Sequence, residues 1–281
     1  MHRSLSRLAL ATAALAALAL VAAGGAIAHA HMRTRSRKAA SHGLLVPTNP
    51  GEVLPLHGGT VDSLNWSGYA VTTKKHDITS VTGSFKVPSA GMVPPGFAAT
   101  WAGIGGYNTQ DLIQAGTAEQ SLPSNSLVGD QYYAWYELLP NSETQLQHCK
   151  GQASCAVKPG QQIKVTIRQT STNVWKISMR DAGHWSWSKT VKYQSSHSSA
   201  EWILEAPTLG TQTLLAPVGT VHFGPNSTYR ISGDSKTIAQ GKPTKIVLSP
   251  AGVANEATPS ALAAGGQKFN DCAYAQSCPA P

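Results

Sequence analysis

From Leu64 to Leu248 the chain is cut into short β-prone runs separated by turn residues, and no stretch after the N-terminal apolar run carries a helical stripe. Runs such as Ile163-Lys164-Val165-Thr166-Ile167-Arg168 alternate apolar and polar residues with period two, as a strand with one buried face does. The turns fall at Pro88-Ser89-Ala90-Gly91, Pro94-Pro95-Gly96, Lys158-Pro159-Gly160 and Asp181-Ala182-Gly183, where proline fixes φ and glycine opens the turn. The expected strands are Leu64–Thr73, Thr79–Val87, Ala98–Ile104, Asp111–Thr117, Gln131–Leu139, Gln162–Thr170, Val174–Arg180, Trp185–Tyr193, Ala200–Ala206, Thr220–Phe223 and Lys245–Leu248. Regularly spaced short strands of this kind define an all-β sandwich or barrel. Residues 61–281 are enough to bury one large core, so they are read as a single domain. The Ala/Gly/Pro-rich tail from Pro250 is expected to be mostly irregular.

Period two also sorts side chains to faces. Leu112, Gln114 and Gly116 share one face of their run; Glu201, Ile203 and Glu205 share one face of theirs, opposite Trp202 and Leu204. Tyr133, Trp135, Glu137 and Leu139 share a third. If these strands are neighbours, Gln114, Glu205 and Glu137 converge on one aromatic-lined concave surface. A carboxylate beside a carboxamide in an apolar setting is suited to activating water, because desolvation raises the carboxylate pKa toward the range of a general base. The plainer alternative is that each polar side chain sits on the wet face of an antiparallel sheet.

The N-terminus reads as an export signal. Arg3 and Arg7 precede an Ala/Leu run to about Ala28, and Ala28-His29-Ala30 offers small residues at a cleavage site after Ala30. The alternative is an uncleaved anchor, since the run is about long enough to span a bilayer. Residues 31–60, opening with Met32-Arg33-Thr34-Arg35-Ser36-Arg37-Lys38, form a spacer or a short pro-segment; a basic, protease-sensitive lead-in favours the pro-segment. Most of the formal charge of +8 belongs to residues 1–60, which hold six Lys/Arg and one acid. The remainder carries 16 basic against 13 acidic residues, which does not call for a nucleic-acid partner.

Four cysteines form two close pairs, Cys149/Cys155 and Cys272/Cys278, and export makes local disulfides the expected pairing. A metal site using His148 with these cysteines is the competing reading, although the spacing matches no zinc pattern. His184 and His197 sit in polar, turn-like contexts and are read as surface residues.

Asn65-Trp66-Ser67-Gly68, Phe85-Lys86-Val87-Pro88, Trp101-Ala102-Gly103-Ile104, Leu112-Ile113-Gln114-Ala115-Gly116, Tyr133-Ala134-Trp135-Tyr136-Glu137 and Ala200-Glu201-Trp202-Ile203-Leu204-Glu205 resemble, in that order, segments of the glutamic peptidases, or eqolisins. The resemblance runs from about Leu64 to about Phe223. It implies a concanavalin-like sandwich of two antiparallel sheets, endopeptidase activity on protein or peptide substrates, and no cofactor or metal. It carries the catalytic pair onto Gln114 and Glu205, and places Trp66, Trp101 and Glu137 along the substrate cleft. Two positions depart from the family pattern: Gly105 and Tyr133 stand where the family has aspartates. Fewer carboxylates near Glu205 mean less like-charge elevation of its pKa.

The expectation is therefore a secreted, extracellular glutamic endopeptidase, monomeric and free of the membrane once its signal is removed. A carbohydrate-binding sandwich is the rival, with Trp175, Trp185 and Trp187 as its sugar platform; a catalytically inactive homologue is another.

Overall fold

The computed structural model describes residues 41–49, 54–91, 94–121, 131–250 and 254–281. The expected signal peptide, residues 1–30, lies outside the described residues, as do residues 31–40 and 50–53 of the expected pro-segment. The strands in chain order are β1 (Gly59–Ser63), β2 (Trp66–Thr72), β3 (Ile78–Lys86), β4 (Gly96–Gly105), β5 (Leu112–Ser121), β6 (Gln131–Leu138), β7 (Thr144–Gln145), β8 (Gln162–Ser171) and β9 (Val174–Asp181). They continue with β10 (Trp185–Lys192), β11 (Ser199–Glu205), β12 (Thr220–Phe223), β13 (Thr228–Ile231), β14 (Asp234–Thr237), β15 (Thr244–Leu248), β16 (Ala257–Pro259) and β17 (Phe269–Ala273). The helical content among the described residues is one 3₁₀ turn, Ile238–Gly241.

The strands make two layers. The first sheet runs β7-β6-β5-β4-β11-β2-β15-β1. The second runs β10-β9-β8-β3, beyond which β3 pairs with both β13 and β12, and β12 continues to β17 and β16. One pairing, Leu248 with Ala257, joins β15 to β16 and links the layers. Every strand pairing is antiparallel except β1 with β15, which run parallel.

Alternation decides what each layer buries. Trp202, Leu204, Ala102, Ile104, Ala115 and Tyr136 of the first sheet meet Phe85, Ile163, Val165, Trp175 and Ile177 of the second in one continuous core. The opposite face of the first sheet carries a separate cluster built on Trp66, Trp101, Leu112, Trp135, Ile203 and Ile246. Neighbours in sequence thus face opposite ways, as period two requires. Both faces of the central strands are buried; every residue of β5 and of β11 is inaccessible or nearly so.

The C-terminal tail corrects the sequence reading. Residues 257–259 and 269–273 form β16 and β17, and β17 pairs with β12 on one side and β16 on the other. Gly59–Ser63, part of which was expected in the spacer, is a strand. Both disulfides are formed, Cys149–Cys155 with Cα atoms 5.3 Å apart and Cys272–Cys278 with 5.5 Å, so the metal reading of these cysteines does not hold. No helix among the described residues is long and apolar enough to cross a membrane.

Candidate active site

The second face of the first sheet positions the site. Gln114 on β5 pairs directly with Gly103 on β4 and with Glu137 on β6. Glu205, the last residue of β11, pairs with Ala99 on β4 and with Trp66 on β2. Gln114 and Glu205 are therefore on strands separated only by β4, whose Trp101 rises between them on the same face. Gly103 leaves the room this requires: a Cβ there would lie 2.9 Å from the Trp101 ring and 3.1 Å from the Gln114 Cβ. Trp66 meets Trp101 edge to face, with ring centroids 4.9 Å apart.

Each polar group is buried and held. Gln114 and Glu205 are wholly inaccessible and Glu137 is 1% exposed, which excludes the wet-face alternative. Glu205 Oε2 accepts a hydrogen bond from Trp101 Nε1 at 2.8 Å. Gln114 Nε2 donates to Glu137 Oε2 at 2.8 Å, so the cross-strand register translates into an oriented carboxamide. Among the described residues, Gln114 Oε1, Glu205 Oε1 and Glu137 Oε1 are buried oxygens without a hydrogen-bond partner.

Four further residues complete the arrangement, and of these sequence reasoning singled out only Tyr133. His42, from the segment expected as spacer or pro-segment, is wholly buried in the middle of the site. Its ring stacks on Trp135, with centroids 3.7 Å apart and planes within 9°. Its Nε2 lies 2.7 Å from Glu143 Oε2 and its Nδ1 3.5 Å from Glu205 Oε2. Its backbone oxygen accepts from Gln114 Nε2 at 3.3 Å. Glu143 comes from the turn after β6, and its Oε1 accepts from Tyr133 Oη at 2.9 Å. Tyr133, read from sequence as a face-mate of Glu137 and as a departure from a family aspartate, thus anchors a carboxylate that a loop brings in. Glu119 lies deeper on β5, bonded to Thr117 Oγ1 at 2.6 Å and Thr100 Oγ1 at 3.3 Å.

Electrostatics follow from this burial. Desolvation works against a charged His42, but the hydrogen bonds to Glu143 and Glu205 outweigh it and carry its pKa up to about 10. Burial pushes Glu205 upward, opposed by His42, Trp101 and Trp66; a neighbouring carboxylate is not what lifts it. Glu137 is raised to about 8, chiefly by burial, with His42 pulling down and Glu205 and Glu143 pushing up. Burial raises Glu119 well above the usual carboxylate range.

The other departure, Gly105, has φ of 87°, a left-handed conformation that favours glycine. A Cβ there would lie 2.6 Å from the Asp111 backbone oxygen, so an aspartate does not fit without a shift. The tryptophans of the rival sugar platform are structural. Trp175 and Trp185 are buried in the core with indole N–H groups bonded to the backbone oxygens of Tyr193 and Ala156, and Trp187 stacks on Tyr136. His184 is exposed; His197 is half-buried, its Nδ1 2.7 Å from the Ile78 oxygen.

Fold and site together define a β-sandwich with a buried acid–amide cleft. The sequence profile described as the peptidase A4 family matches residues 64–260. The chain belongs to this family, the glutamic peptidases or eqolisins, and is an endopeptidase of that class. Solved structures share the fold. A crystal structure of scytalido-glutamic peptidase with a transition state analog inhibitor superposes with a TM-score of 0.58 at 20% identity, covering 74% of this chain and 98% of that one. SCP-B, an eqolisin family member in complex with the tripeptide Ala-Ile-His, gives 0.53 at 20% identity over the same shares. No curated protein matches the chain.

Proposed function

We propose that the chain is a secreted glutamic endopeptidase in which Glu205 and Gln114 work on one water molecule. One observation carries this reading: both side chains reach the same residue from different strands, Glu205 toward the His42 ring and Gln114 onto the His42 carbonyl oxygen. Their functional ends therefore converge on one residue, Glu205 at its imidazole and Gln114 at its backbone carbonyl. Their orphaned oxygens, Glu205 Oε1 and Gln114 Oε1, are acceptors that the two protons of a water would satisfy.

In this mechanism ionised Glu205 takes a proton from the attacking water as the oxygen adds to the scissile carbonyl carbon. The Gln114 amide donates to the oxyanion that forms, and Glu205 returns the proton to the leaving amine. Glu137, accepting from Gln114 Nε2, fixes the carboxamide so that its second N–H points at the substrate. Trp66 and Trp101 line the cleft and exclude water; Trp101 Nε1 holds Glu205 in place. The roles need no cofactor.

Residues 1–30 are assigned as the signal peptide, 31–60 as the pro-segment and 61–281 as a monomeric catalytic domain, and the two disulfides support an oxidising destination. Digestion of a denatured protein by the purified chain, compared with Glu205→Gln free of host proteases, tests the reading. Activity in the wild type and none in the variant is expected; equal activity overturns it.

A further inference from the structure

The outward face of the second sheet carries charge of one sign. Alternation turns Lys164 and Arg168 of β8, and Lys176 and Arg180 of β9, away from the core, and all four are exposed. The register sets them directly opposite one another, Lys164 beside Arg180 and Arg168 beside Lys176. Like charges in facing positions destabilise a sheet, and here the arrangement occurs twice in one strand pair. No carboxylate relieves it. The outward positions of β3, β8, β9 and β10 hold no Asp or Glu, and among the described residues none of the four cations makes an ion pair. The near balance of 16 basic and 13 acidic residues beyond residue 60 thus conceals a segregation by face.

The charges are also ordered. One row crosses the strands from Lys150 through Ser186, Arg180 and Lys164 to Ser84, with Lys150 and Ser186 exchanging backbone hydrogen bonds at 2.9 Å. A second row, four residues along each strand, runs through Thr190, Lys176, Arg168 and Ser80. Midway between them lies a row of hydroxyls, Ser188, Ser178, Thr166 and Thr82. The rise along a strand puts the two basic rows about 13 Å apart. The segment leading into the Cys149–Cys155 bridge, with Gln147 and His148, borders this floor, and the open groove so formed has a volume of about 650 Å³.

We propose that this groove binds a linear acidic polysaccharide, a chain of sugars bearing uronate carboxylates. Such a chain is a ribbon with hydroxyls over its faces and carboxylates at its edges. The hydroxyl row takes the sugar hydroxyls, and the basic rows take the carboxylates on either side, arginine through its planar fork and lysine as a point charge. Other polyanions match the face less well. A single-stranded nucleic acid calls for exposed aromatic rings on which its bases stack, and the outward positions of these strands hold none. A membrane surface calls for apolar side chains to enter it, and the large exposed ones, Val46, Leu56, Leu214 and Tyr274, all lie elsewhere. Trp175, Trp185 and Trp187 alternate to the core side of the same strands, so the contacts are polar and not aromatic. The groove is on the far side of the sandwich from the cleft, and a bound polymer therefore holds the protein with its cleft free. Nothing in this assignment depends on the roles of Gln114 and Glu205.

The purified chain is titrated at low ionic strength with polygalacturonate, inorganic polyphosphate, single-stranded DNA and phosphatidylserine vesicles. Polygalacturonate should bind most tightly, and added salt should loosen it because the charges are exposed. Lys164→Gln with Arg180→Gln, and separately Arg168→Gln with Lys176→Gln, should each weaken it about tenfold, the scale of two exposed ion pairs. Neither double variant should lower the unfolding midpoint, since each removes a facing pair of like charges. Ser178→Ala with Ser188→Ala should weaken polygalacturonate and leave polyphosphate binding as it was, which charge attraction alone would not do. No binding of polygalacturonate, or binding that the charge variants or the serine variant leave intact, overturns the proposal. Tighter binding of polyphosphate, DNA or vesicles than of polygalacturonate overturns it too, and gives the face to phosphate-bearing partners. A chain that binds polygalacturonate in this way but digests no protein fails only the peptidase reading.

Discussion

Glu205 and Asp271 are both wholly buried carboxyls pushed up by desolvation, and both are approached by adjacent residues of β2, Trp66 and Ser67. They lie on opposite faces of the first sheet. On the core side, Asp271 Oδ1 accepts from Ser67 Oγ at 2.7 Å, Oδ2 has no hydrogen-bond partner among the described residues, and the group is raised to about 8. On the cleft side, Glu205 faces the indole N–H of Trp101 and the His42 ring, donors that favour its ionised form. The same burial therefore acts on one carboxyl held by a hydroxyl alone and on another held by N–H donors that oppose its becoming neutral. What separates them is the set of N–H donors, which only the cleft face provides.

The largest effect that sharpens this contrast is Glu205→Gln, which should remove nearly all activity at every pH while leaving the fold intact; thermal unfolding run beside a peptidase assay checks both halves. In the wild type, kcat/KM should fall on the acid side as Glu205 protonates, with a midpoint above the ordinary glutamate value because burial raises it. Next comes Trp202→Ala on the core face, wholly buried between the sheets. It should cost about 3–5 kcal/mol of stability by denaturant titration. A change confined to activity would break the division of the sheet into a structural and a chemical face.

Gln114→Ala should lower kcat on the order of 10²–10³-fold, the effect of one lost oxyanion donor, with the unfolding midpoint little changed. Asp271→Asn tests the core-side carboxyl through pH. A folded pKa of about 8 against about 3.9 unfolded means that the folded state binds the proton more tightly. The wild type should therefore be most stabilised by this group below about pH 4 and lose that contribution as pH rises toward 8, whereas the variant should lack the slope; parallel melting curves across that window decide it. The smallest change expected is Glu137→Gln. With Glu137 raised to about 8 it is already protonated at neutral pH, so the amide should cost less than about tenfold in kcat, and Glu137→Ala more because it frees Gln114.

Much of this was readable in the sequence, for a physical reason. The long strands are buried against a core on one face at least, so their alternation and their interrupting polar residues stand out, and Gln114 and Glu205 were visible as costly groups in apolar runs. The strands that escaped are short or compositionally atypical. Phe269-Asn270-Asp271-Cys272-Ala273 includes Asn and Asp, which strands avoid, and forms because partners on both sides satisfy its backbone. His42 and Glu143 escaped for a different reason. They lie in irregular segments with no period to betray a face, 101 residues apart in sequence, and only the folded sheet brings them together.

The position of β17 carries a consequence in time. It lies between β12 and β16, and its Asp271 reaches Ser67 across 204 residues of sequence. The layer that backs the cleft therefore stays incomplete until β17 has been made. A ribosome-bound chain can hold both Gln114 and Glu205 yet lack the strand that completes the sandwich behind them. Such long-range closure is intrinsically slow. The order of synthesis thus separates making the cleft residues of this peptidase from closing the sandwich behind them.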